Sequence, residues 1–148
     1  MTDGLTVDES LRALAALEAA WKDDEEALGA LAAGGPDEQP LPALVAAYGE
    51  HAIDTLMALA FGLRSSMTDE ELEALTDAVS SNIGARMAAL LARTLRAWAA
   101  TTAAGDLAAT KAIARTVIDA MRAVTEEPGK TDVLPLLATF RTYALSNP

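Results

Sequence analysis

Cysteine is absent from the 148-residue chain, and histidine occurs once, at His51. Without cysteine there can be no disulfide, thiolate metal ligand or thiol nucleophile. A single histidine excludes the paired Glu-x-x-His motifs from which helical bundles build di-metal centres. Tryptophan, tyrosine and phenylalanine number two each, which leaves few platforms for stacking nucleic-acid bases. Basic residues are also in the minority, 11 Lys and Arg against 22 Asp and Glu, for a net charge of −11. The resulting pI of about 4.3 is the reverse of a nucleic-acid footprint. Uncharged runs such as 55–63 and 97–105 fall well short of the ~18–20 residues that a membrane span requires. Glycine-rich phosphate loops, G-x-S-x-G and zinc-binding spacings are missing too. The acidic opening MTDGLTVDES does not read as a secretory signal. These absences point to a cytoplasmic protein with no cofactor, no metal, no nucleic-acid partner and no membrane association.

What is present is alanine, leucine and charge. Hydrophobic residues make up 51% and charged residues 22%, a globular composition. Ala and Leu are strong helix formers, and no segment alternates with the period of two expected of a strand. The chain therefore reads as all-α, a helical bundle of five or six helices in one domain over residues 1–148, with 34–42 as an internal loop.

Helix boundaries follow from capping chemistry. Thr6 and Glu9 have the form of a capping box, opening a helix predicted to run to about Ala33 with Leu14, Leu17, Trp21, Leu28 and Leu31 along its seam. Asp24 interrupts that seam. Gly34-Gly35-Pro36 then ends the helix. A second helix is predicted over about 43–63, with Val45, Tyr48, Ala52, Leu56, Leu59 and Leu63 inward. Thr68 and Glu71 form a second capping box. Beyond it the apolar phase shifts between Val79 and Ile83, which predicts a break near 80–84. Past the break Ile83, Met87, Leu90, Leu91, Thr94 and Trp98 mark the apolar side, and the arginines the outer side. A helix capped by Asp106 follows to about Glu126, stopped before Pro128-Gly129. The last begins after Thr131 or Asp132, with Val133, Leu137, Phe140 and Ala144 inward.

Candidate functional residues are few. His51 lies between Glu50 and Asp54, but no nucleophile accompanies the trio, so it reads as a solvated helix edge. The second helix turns apolar around its whole circumference towards its end, so Met57 and Phe61 need cover from another helix or another subunit. Arg86, Arg93 and Arg96 form one basic stripe; Lys111, Arg115 and Arg122 form another on the next helix. Side by side they would make a cationic groove for an acidic protein or a small anionic ligand, unless acidic clusters such as 23–26 neutralise them. The charge is uneven: residues 1–77 hold 17 acids against three bases, a balance of −14, and residues 78–148 hold five against eight, a balance of +3. A helix-turn-helix over 71–98 fits loosely, without the usual turn glycine. The first helix, with its WKDDEE edge, is either an arm that pairs with a second copy or a helix packed within its own chain. The expected function is a non-enzymatic protein-interaction or regulatory bundle, with a homodimer favoured. The alternative is a bundle binding an apolar or anionic small molecule between Met57, Phe61, Trp98 and the arginines. An enzyme comes third, because convergent polar groups are too few.

Overall fold

The computed structural model describes residues 4–125 and 132–146. Among them are seven α-helices: α1 (Val7–Trp21), α2 (Glu25–Ala32), α3 (Leu41–Ala60), α4 (Asp69–Ser81), α5 (Ile83–Ala100), α6 (Leu107–Val124) and α7 (Leu134–Ser146). The all-α class is as expected, and the count of five or six is corrected to seven. The extra helix arises at Asp23, which adopts a left-handed backbone (φ 55°). There the Asp24 N–H donates to Ala19 O (2.9 Å), closing a Schellman-type end on α1. The Asp24 carboxylate then accepts from Ala27 N (3.0 Å) and starts α2. The acidic residue that broke the leucine seam is thus a helix cap.

Both expected capping boxes are formed, Thr6 with Glu9 and Thr68 with Glu71. The break near 80–84 is a single extended residue: Asn82 (ψ 125°) ends α4, and its side chain accepts from Ala85 N to begin α5. α3 stops at Ala60 rather than near 63. Gly62 takes φ 96° and donates to Leu59 O, while Leu63 N donates to Ala58 O, a Schellman end that glycine permits. The predicted end of α6 at Glu126, and the Pro128-Gly129 and Thr131 signals, lie outside the described residues.

α3 runs through the middle of the bundle, against α1, α5 and α6. Its first half is enclosed nearly all round, with Leu41, Leu44, Val45, Ala46, Tyr48, Ala52 and Ile53 buried. Gly49 allows the closest approach, since a Cβ there would meet Val117 of α6 at 2.5 Å. Ile53 packs with Ala92 and Ala120, and Met57 joins the same cluster beside Ala88 and Leu91. Glu50 beside Arg96 and Ile53 beside Ala92 make α3 and α5 antiparallel. The second half of α3 emerges from the core, and Leu59 and Leu63, expected inside, are exposed.

α1 packs within its own chain, with Leu14 and Leu17 fully buried. Its own polar side chains tie it to other parts of the chain. Arg12 donates to Leu31 O and Gln39 O (2.8 Å each), and Glu18 accepts from Arg141 of α7 (2.8 Å). Val133, just before α7, and Leu137 and Phe140 within it are buried, as the periodicity predicts. No helix among the described residues is long and apolar enough to cross a membrane.

Candidate interaction surface

α5 has two apolar faces, and the larger side chains lie on the outer one. Ala85, Ala92, Leu95 and Ala99 are buried against the bundle. Ile83, Met87, Leu90 and Trp98 are 75%, 59%, 48% and 41% exposed. At 100° per residue the two sets centre about 145° apart. The stripe expected to face inward therefore faces outward, except for Leu91, which packs against the core, and the alanine stripe faces the core. The reason is steric: small side chains let α5 approach α3 closely, so Ala88 and Ala92 can meet Ile53 and Met57. Bulkier residues at those positions would hold the helices apart. Steps of four, three, four and three residues through 83, 87, 90, 94 and 97 give the outer stripe the spacing of a coiled-coil seam.

The antiparallel register sets the end of α3 beside the start of α5. Leu59, Leu63 and Leu72, all exposed, belong to α3, the α3–α4 loop and the start of α4. Phe61 is half-buried in the same stretch, and Met57 is half-buried against the cluster of Ile53, Ala92 and Ala120. Trp98 sits ten residues further along α5 than Ala88, about 15 Å along the helix axis. Met57, Phe61 and Trp98 are therefore not gathered around one point.

The two basic stripes also part company. Arg86 and Arg93 flank the outer stripe of α5, and no hydrogen bond or ion pair joins either guanidinium to another described residue. Arg96 turns towards α3 and pairs with Glu50 (3.6 Å). Lys111 and Arg115 face the α1–α2 turn, where both engage Asp23 and Arg115 also donates to Ala20 O (3.2 Å). These contacts, Lys111 foremost, hold the Asp23 carboxyl below its ordinary range. Arg122 stacks over Trp21, 5.4 Å from the ring centroid, and lies 3.9 Å from Asp119. Half of the proposed cationic groove is thus a set of internal ties around the end of α1.

A depression of about 450 Å³ runs along Ile83, Arg86, Met87, Ala89, Leu90 and Arg93. Its described walls belong to α5 alone, so it is a furrow in a helix face open to solvent.

His51 is exposed, with its ring 5.9 Å from that of Tyr48. Tyr48 is buried edge-on to Phe140 (6.3 Å between ring centroids), and burial pushes its phenol well above the usual value. Partial desolvation, with Glu50 nearby, raises the Asp54 carboxyl. Among the described residues no three His, Asp or Glu side chains are placed to hold a metal ion together.

Sequence reasoning missed Ile83, Met87 and Leu90 as surface residues. The signal was a line of small residues, Ala85, Ala88, Ala92 and Ala99, interrupted by Leu95, opposite a line of large ones. No protein-family model matches the chain, and neither curated proteins nor solved structures show a match to it.

Proposed function

We infer that the protein is a non-enzymatic interaction module whose working surface is the outer face of α5. The observation that carries this reading is the exposure of Ile83, Met87 and Leu90 in heptad-like steps on a helix whose opposite face already fills its place in the core. A continuous apolar stripe left in water is unfavourable by roughly 25 cal/mol per Å² of area that a partner would cover. Stripes of this form are read by a second amphipathic helix lying in the groove. Arg86 and Arg93 on the flank select for acidic groups on that helix and disfavour basic ones.

Photo-crosslinking tests the reading. A benzophenone side chain in place of Met87 should join the chain to another polypeptide, whether a copy or a different protein. The same probe in place of Ala30, exposed on α2, should not. Equal crosslinking from both positions would overturn the reading. So would loss of fold in Leu90→Glu, because it would place the stripe inside the chain's own core.

A further inference from the structure

Two helices of this chain are incompletely covered, and their chemistry is complementary. α5 presents Ile83, Met87 and Leu90 flanked by Arg86 and Arg93, neither of which has a partner among the described residues. α4 contains no buried residue. It carries Leu72, Leu75 and Val79 along one stripe at three- and four-residue steps, with Leu72 exposed. It also carries Asp69, Glu70, Glu71, Glu73 and Asp77, of which only Glu71 forms an ion pair among the described residues, with Arg64 at 3.4 Å. At 100° per residue Asp69 and Glu73 lie on one side of the leucine stripe, about 90° and 130° from its centre, and Arg86 and Arg93 lie on one side of that of α5, about 70° and 90° away. A 13-residue helix is marginal in water without tertiary cover.

We propose that the partner is a second copy of this chain, in a two-fold dimer where α4 of each copy lies along the outer face of α5 of the other. This rests on the reading of α5 as a docking face and names its occupant. Two-fold symmetry makes the contact twice, so both α4 helices and both α5 stripes are covered together. The competing arrangement, α5 against α5 in antiparallel register, sets Arg86 of each copy opposite Arg93 of the other along one side of the seam. Like charges across a seam that excludes water disfavour it. An acidic α4 gives every arginine an opposite charge, in keeping with the −14 and +3 balances of the two sequence halves.

Sedimentation velocity over about 1–300 µM, with circular dichroism on every variant, tests the pairing. Wild type should dimerise. Arg86→Glu/Arg93→Glu should raise the dissociation constant by about tenfold or more, and Asp69→Lys/Glu73→Lys should do the same. An equimolar mixture of the two variants should recover the dimer as a heterodimer, since each α4–α5 contact again joins opposite charges. Where a charge reversal unfolds the chain, Arg86→Gln/Arg93→Gln and Asp69→Asn/Glu73→Asn take its place, each expected to weaken the dimer. A wild type that stays monomeric throughout would overturn the second copy as partner, while crosslinking at position 87 to a different protein would leave the docking face standing. A dimer indifferent to the α4 substitutions, or Arg86→Glu/Arg93→Glu pairing preferentially with wild type, would overturn α4 as the occupant.

Discussion

Gly49 of α3 meets Val117 of α6 so closely that a Cβ on the glycine would fall 2.5 Å from a valine methyl. This crossing is where the central helix is seated, with Val45, Ala52, Ile113 and Ile118 buried around it. Gly49→Ala should therefore destabilise the fold by about 1–3 kcal/mol, although alanine is the better helix former. Val117→Ala in the same chain should recover part of that loss, giving a favourable coupling in a double-mutant cycle read by thermal or urea unfolding. Additive losses would show that α3 and α6 do not touch there.

The left-handed Asp23 is held by Lys111 and Arg115, which reach it from α6. Asparagine tolerates this backbone region and alanine does not, so melting temperature should fall in the order wild type, Asp23→Asn, Asp23→Ala. The carboxyl is depressed below its ordinary value of 3.8 in the folded chain. Its contribution is thus fully present above that value and is lost as pH falls through the lower, folded-state value. The gap between wild type and Asp23→Asn should close on acidification. An Asn variant that melts with wild type at neutral pH would contradict the assignment.

Asp54 has the opposite sign. Desolvation and Glu50 raise its carboxyl above 3.8, so the ionised form opposes folding at neutral pH. Asp54→Asn should stabilise the chain at pH 7 by a few tenths of a kcal/mol, a small gain because the residue is exposed. The gain should shrink as pH falls through the raised folded-state value towards 3.8, where wild type itself becomes protonated. A variant less stable than wild type at pH 7 would show that Asp54 has a partner.

α4, with no buried residue, should open locally far more often than the buried half of α3. Amide hydrogen exchange in dilute protein should be faster over 73–81 than over 45–53 by orders of magnitude. Raising protein concentration should slow the α4 amides selectively if α4 docks on a second copy. Equal protection of the two helices at low concentration would contradict the placement of α4 at the edge.

The parts legible in the sequence were those fixed by local chemistry. Thr6, Thr68 and Asp106 each cap the helix expected of them, and Asn82 makes the expected break, because side-chain oxygens and backbone N–H groups meet within one turn. Asp23 and Gly62 were local too, but their effect lies in a left-handed backbone that spacing arguments do not register, so α1 and α3 were drawn too long. The orientation of α5 was not legible for a different reason. It has an alanine face and a large apolar face, and periodicity identifies apolar faces without saying which one the core takes. Closeness to α3 decided it, and closeness is a property of the packed pair. The basic stripes divided likewise: Lys111 and Arg115 find Asp23, 88 and 92 positions away in sequence, and Arg86 and Arg93 find no such acid among the described residues.

The central claim is that the outer face of α5 meets solvent in the single chain and another helix on association. Leu90 is 48% exposed and Ala92, two residues on, is 2% exposed. Because the chain has no cysteine, Leu90→Cys and Ala92→Cys each introduce a single thiol whose alkylation rate reports its surroundings. In dilute solution Leu90→Cys should react at nearly the rate of a free thiol and become protected as protein concentration rises, while Ala92→Cys stays protected throughout. A Leu90→Cys thiol as protected as that of Ala92→Cys in dilute protein, or equally reactive at every concentration, would contradict the account.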